Sequence, residues 1–178
     1  QIMSGQPSIE PQIEPLTCTP IGVFHSKSNA KFLAPQQPGL GAAYDGVIEL
    51  NSMYEGCVSD IDGFSHLWVV SWFHKNRRWR PRVLPPRGRS VRRGLFATRS
   101  PHRPNPIGIS AVQLVSREGI RLYLGATDLI DGTPVLDIKP YLPYADSIPD
   151  ARTGWIAEEP SPPSYTVTTA PHAEAQLT

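Results

Sequence analysis

The sequence is poor in cysteine: it has two, Cys18 and Cys57, and neither sits in a metal-ligand spacing. That excludes a disulfide framework or a zinc cluster as its source of stability, and predicts plain thiols in a reducing cytoplasm. No stretch approaches the ~20 apolar residues of a membrane-spanning helix. The opening residues, QIMSGQPSIEPQIEP, lack the basic-then-apolar order of a secretory signal. No internal repeat is visible, and no spacing of His, Cys, Asp or Glu asks for a metal.

What the chain has in quantity is proline and glycine, 20 and 14 among 178 residues, which favours short strands and turns over long helices. The length fits one domain with a real core. Six segments read as strands, rich in valine, isoleucine and aromatics and bounded by turn residues: IGVFHS, GVIELN, HLWVVSWFH, GLFATR, ISAVQLVS and IRLYLGA. SREG between Val115 and Ile120 reads as a hairpin turn. The expected fold is all-β, a barrel or a strongly bent sheet, over residues 19–156. It lies between a polar, proline-spaced arm at 1–18 and a proline-rich, low-complexity tail at 157–178.

Charge is distributed unevenly. The formal net charge is +1, yet 11 of the 17 lysines and arginines fall between Lys75 and Arg103, and none of the 16 acids does. Arginine outnumbers lysine ten to one in this stretch, with Trp79 interleaved. Clustered cations release counterions from a polyanion, and guanidinium forks and an indole suit phosphates and bases. The run Arg77, Arg78, Arg80, Arg82, Arg87, Arg89, Arg92, Arg93 and Arg103 is therefore the candidate RNA-contacting patch; a solvated surface loop is the plainer alternative.

The connections between strands hold the remaining candidates. FSHLWVVSWFHK carries a histidine at each end, His66 and His74. Asp131-Gly132-Thr133-Pro134 reads as a turn. Asp137, Lys139 and Tyr141 alternate along LDIKPY and so share one face of a strand, either as a reactive constellation or as an ion pair that braces the strand. FATRSPHRPNPIG places three prolines, two arginines and an asparagine in one string. Prolines fix backbone dihedrals, so such a loop can hold Arg99, Arg103 and Asn105 at the mouth of a site without an ordering cost on binding.

Taken jointly, KFxxPxQPGL, FSHLW, FHK, PPR, FATRSPxRPNPIG and DGTPxxDIKPYxPxxD carry a resemblance running from about Pro20 to Asp150. The chain resembles the TsaA-like (TrmO) family of S-adenosylmethionine-dependent tRNA adenine-N6 methyltransferases. The resemblance implies a single-sheeted β-barrel, a homodimer with S-adenosylmethionine near the dimer interface, and methylation at N6 of threonylcarbamoyladenosine beside the anticodon. The glycine-rich strand-to-helix turn of a doubly wound methyltransferase is absent; LGATDLIDG comes nearest and lacks that context.

By the same resemblance the cofactor contacts are Gln36, Gln37 and Pro38; His74 and Lys75; Arg99 and Ile109; and Leu129, Ile130, Asp131 and Gly132. Such a pocket needs apolar walls for the adenine and a cation for the methionine carboxylate, for which the fork of Arg99 is suited. Asp137, Lys139 and Tyr141 become the expected catalytic face, with Lys139 on the threonyl carboxylate. The family's bacterial type continues after the barrel into a small domain that helps hold tRNA, whereas this sequence runs to Thr178 in its tail. The alternatives left open are a methyltransferase of another substrate and a catalytically idle S-adenosylmethionine-binding regulatory or interaction protein.

Overall fold

The computed structural model describes residues 14–27, 44–86 and 91–158. The chain divides into two compact units, one of residues 1–80 and 101–147, the other of residues 81–100 and 148–178. The first unit is built from β1 (Gly22–Ser26), β2 (Gly46–Leu50), β3 (His66–Trp72), β6 (Ile107–Glu118), β7 (Arg121–Leu124) and β8 (Thr133–Pro140). They close into a barrel in the order β1-β2-β7-β6-β3-β8, every pairing antiparallel. A single α-helical turn, α1 (Pro143–Asp146), follows β8. The expected all-β barrel is the fold.

Alternation along each strand decides what faces inward. Phe24, Ile48, Leu50, Leu67, Val69, Val112, Leu114, Leu122, Leu124 and Val135 form one buried cluster, joined by Val58 from the 3₁₀ turn Ser52–Val58. Burying each such side chain contributes roughly 1.5–3 kcal/mol. Gly108 is required by packing. It pairs with Ser71 across β6 and β3, and a Cβ there would run into the Ser71 hydroxyl and the Phe73 ring. Gly132 is required by conformation: its φ of 77° lies in the left-handed region, and its N–H donates to the Phe24 carbonyl at 2.9 Å.

A second buried cluster, Tyr44, Val47 and Tyr123, has Val115 packed against it. The two tyrosine rings meet edge to face at 5.3 Å, the Tyr123 hydroxyl donates to Glu118 at 2.9 Å, and the Lys27 ammonium lies 5.2 Å from the centre of the Tyr44 ring. Burial first, then the Glu118 carboxylate, pushes the Tyr123 hydroxyl up to about 12.

Two local expectations differ from the structure. GLFATR is not a strand: only Arg93–Gly94 (β5) is extended, pairing with β4 (Arg82–Val83), and Leu95–Ala97 turns as a 3₁₀ helix. The proline-rich string therefore leaves a 3₁₀ turn and feeds β6, which begins at Ile107. Thr133 and Pro134, read as part of a turn, are the first residues of β8; the turn proper ends at Gly132. Pro134 starts the strand where its missing N–H and fixed φ are tolerated.

Replacing Gly108 with alanine should cost about 1–3 kcal/mol by overpacking the β3–β6 seam, read as a lower denaturation midpoint in urea with unchanged slope. The tyrosine cluster sets a pH dependence. Unfolded Tyr123 loses its proton near 10.0 and folded Tyr123 near 12, so the folded state binds more protons in between. Its stabilisation is complete below pH 10 and falls away as pH rises to 12. Thermal midpoints of the wild type should drop across that window more steeply than those of Tyr123→Phe.

Candidate active site

The outward faces of β8, β3 and β6 lie side by side and gather most of the candidate residues. β3 turns Leu67, Val69 and Ser71 inward, so His66, Trp68, Val70 and Trp72 look out. Register then places Lys139 beside Trp68, Asp137 beside Val70, Ile109 across from Val70 and Ile107 across from Trp72. A bulge between Val70 and Ser71 keeps the end of β8 in step with β3.

Asp137, Lys139 and Tyr141 share this face, as their alternation predicts. The Lys139 ammonium contacts the Asp137 carboxylate at 2.8 Å, with Lys139 67% and Asp137 49% exposed. The ion pair is thus formed, and it leaves Lys139 on the surface beside an indole. The Tyr141 ring lies 5.4 Å from Trp68 and 6.4 Å from His66, while its N–H donates to the His66 carbonyl at 3.0 Å. Ser65 Oγ and His66 Nδ1 are hydrogen-bonded at 3.0 Å. A tyrosine held by two rings and one backbone bond has little rotational freedom. His66 is one of the candidate histidines; Trp68 is a support that no motif singles out, though the alternation in HLWVVSW places both with Tyr141.

The other end of the face is apolar and exposed: Trp72 is 43%, Ile107 46% and Ile109 62% accessible. His74 stands 6.4 Å from the Trp72 ring, and Lys75 follows it, exposed. Ser110 Oγ donates to Asp128 at 2.6 Å, which ties the strand beside Ile109 to the turn before Leu129. Ile130 in that turn is 51% exposed. The Asp131 carboxylate accepts from the Ser26 N–H at 2.9 Å and so fastens the turn to the end of β1. Its role here is to shape the backbone of Leu129–Gly132. An apolar wall with His74 and Lys75 at its margin fits a ligand that combines a flat heterocycle with a charged end, as S-adenosylmethionine does.

Gln36, Gln37, Pro38, Arg87 and Arg89 fall outside the described residues. Arg99 is exposed in the second unit. Arg77, Arg78 and Arg80 are exposed after β3 with Trp79, 52% accessible, among them. Arg82 and Arg92 are exposed on the β4–β5 pair, where the Arg82 guanidinium donates to the Arg92 carbonyl at 2.7 Å. Arg103 is half-buried, its N–H donating to the Pro101 carbonyl at 3.0 Å. Arg93 is half-buried too, its guanidinium over the Trp155 ring. Among the described residues no three His, Cys, Asp or Glu side chains gather as metal ligands.

The family model for the tRNA-methyltransferase O N-terminal domain matches residues 23–147. The chain belongs to this family. It is 46% identical over 150 residues to the tRNA (adenine(37)-N6)-methyltransferase of Escherichia coli, covering 79% of this chain and 64% of that one. A Pyrococcus abyssi relative named a "probable S-adenosyl-L-methionine-binding protein" is 39% identical over 137 residues, 77% of this chain and 74% of its own. The crystal structure of TrmO from Pseudomonas aeruginosa superposes with a TM-score of 0.63 at 43% identity, over 84% of this chain and 66% of that one. The chain thus spans just under two thirds of the length of its bacterial relatives. The family match runs from the second residue of β1 through the rest of the barrel and stops at Ser147, before the segment that carries Trp155.

The exposed Asp137–Lys139 pair should contribute little to stability, under about 1 kcal/mol. Lys139→Ala should leave the urea midpoint nearly unchanged, so a turnover defect in that variant would be a defect of the site.

Proposed function

We propose that this chain is an S-adenosylmethionine-dependent methyltransferase that modifies N6 of threonylcarbamoyladenosine beside the anticodon of tRNA. The observation that carries the reading is the 46% identity to a tRNA (adenine(37)-N6)-methyltransferase over 79% of this chain. In this reading the organised domain runs over 19–156, between the arm at 1–18 and the tail at 157–178. Cofactor contacts come from Gln36, Gln37 and Pro38, from His74, Lys75 and Ile109, and from the Leu129–Gly132 turn, with Arg99 on the methionine carboxylate. The bound cofactor supplies an electrophilic methyl group.

The work left to the chain is alignment and management of one proton. An exocyclic adenine nitrogen is a weak nucleophile because its lone pair is delocalised into the ring. The threonylcarbamoyl group delocalises it further but makes the N–H more acidic, so transfer of that proton to a base of this face, Asp137 or His66, becomes the helpful step. Lys139, held by Asp137, takes the threonyl carboxylate, and Tyr141, fixed by Trp68 and His66, orients the base. Displacement at the methyl carbon then depends on in-line geometry in a dry pocket. The exposed Trp72, Ile107 and Ile109 support a homodimer, since apolar side chains grouped on one sheet face suit a second copy of the chain. The exposed arginines on either side of Trp79 support tRNA as the partner, and an enzyme of tRNA belongs in the cytoplasm.

Calorimetry at low salt should show S-adenosylmethionine binding without added metal, weakened by about 1.5–3 kcal/mol in Arg99→Ala. Asp137→Asn and Lys139→Ala should keep the fold and cofactor binding while turnover falls about 10²-fold. Methyl transfer should occur on normal tRNA and fail on tRNA from cells that cannot make the threonylcarbamoyl modification. Equal methylation of both tRNAs would point to a different substrate. Cofactor binding without transfer to any RNA would favour the idle binding protein.

A further inference from the structure

The second unit contains a contact that the methyltransferase reading does not use. Its described part consists of the β4–β5 pair, the 3₁₀ turn Leu95–Ala97 and a second 3₁₀ turn, Gly154–Glu158. β4 and β5 pair through only two residues each, Arg82 with Gly94 and Val83 with Arg93. Two-stranded ribbons this short are marginal in water without something packed on them. Here the packing comes from Trp155, about sixty residues further along the chain.

The Arg93 guanidinium lies 5.0 Å from the centre of the Trp155 ring, and Trp155 Nε1–H donates to the Ala97 carbonyl at 2.9 Å. The indole therefore fastens both ends of one short path, β5 at Arg93 and the turn that leads to Thr98 and Arg99. Arg82, whose guanidinium donates to the Arg92 carbonyl, closes the same hairpin from the other strand. Arg82 and Arg92 are left exposed on this hairpin. A cation is attracted to the face of an indole by the ring quadrupole, so Arg93 links indole and hairpin. Residues 148–158, beyond the family match, belong to the frame that carries the basic residues.

We infer that Trp155 is a positioning residue for RNA docking: through Arg93 and Ala97 it preassembles the β4–β5 hairpin so that its exposed arginines meet RNA phosphates in a fixed spacing. The inference rests on the reading of the chain as a tRNA-binding protein. Its physical basis is that cations held in advance lose less conformational freedom on binding than cations on a fraying ribbon. Removing the clamp should weaken RNA binding and leave the cofactor's apolar wall untouched.

The test uses the full chain as wild type, Trp155→Ala and Trp155→Phe. Three measurements are compared: tRNA affinity as a function of salt, S-adenosylmethionine affinity, and the rate of tryptic cleavage after Arg92 and Arg93. Trp155→Ala should bind tRNA roughly tenfold more weakly with a shallower salt dependence, lose no more cofactor affinity than Arg99→Ala does, and be cut faster at the hairpin. Trp155→Phe keeps an aromatic face for Arg93 and should recover most of the tRNA affinity. Unchanged cleavage in Trp155→Ala would overturn the clamp. Faster cleavage with wild-type tRNA affinity would overturn the docking role and leave Trp155 a brace. Failure of Trp155→Phe to recover affinity, with the fold intact, would overturn the part played by the ring. A wild-type chain that binds no tRNA at low salt would sink the tRNA reading itself, an outcome separate from these because in each of them the wild type still binds.

Discussion

The pairing of β8 with two partners governs the rest of the molecule. β8 bonds along β3 through residues 135–140 and along β1 through residues 133–135, and this second seam closes the sheet. A closed sheet has no free edge and only two faces, so each strand must send alternate side chains into a core that is already full. The charged side chains and the indoles of Trp68 and Trp72 are left on the outside, in register with their neighbours across the seam. The outer face of β8, β3 and β6 is the result. The closure also explains where the chain spends its special residues: Gly132 turns the chain into β8, Asp131 fastens that turn to β1, and Gly108 lets β6 approach β3.

That face divides along its length. At one end Lys139, Asp137, Tyr141, His66 and Trp68 form a polar, ring-braced group; at the other, Trp72, Ile107 and Ile109 form an apolar one. A reaction that brings a charged nucleoside to a cofactor with an apolar heterocycle needs both characters within reach, and β3 supplies them as the ends of one seven-residue strand. The division follows from HLWVVSW itself, whose outward residues run from histidine to tryptophan while its inward ones are leucine, valine and serine.

The basic stretch follows a different logic. Its cations are distributed over a connection after β3, a two-residue ribbon and a proline-rich string, none of which has a core of its own. Such segments depend on local braces: the Trp155 ring over Arg93, the hydrogen bond from Arg82 to the Arg92 carbonyl, and Pro101, Pro104 and Pro106, which fix φ without any ladder. Rigidity here comes from covalent geometry and single contacts, and that is why one indole can matter to a patch defined by arginines.

How much was legible in the sequence varies with the range of the interaction. Alternation is local, so five of the barrel strands, the shared face of Asp137, Lys139 and Tyr141, and the hairpin at Gly119 could all be read from neighbouring residues. GLFATR was misread for the same reason: its apolar residues suit a strand, but nothing in the string shows that a partner is available only at Arg93–Gly94, after which the chain turns. The bond from the Ser26 N–H to the Asp131 carboxylate lies outside any local pattern because it joins positions 105 residues apart. Trp155 drew no attention because its partners, Arg93 and Ala97, lie some sixty residues away in a basic run read as surface. By itself, then, the sequence determined the strand pattern, the cation cluster and the family motifs, since each is written in adjacent residues. Only the tertiary structure decided which strands close the barrel, which carboxylate braces a turn, and which indole holds the arginines, because those depend on contacts between segments whose separation along the chain carries no periodic signal.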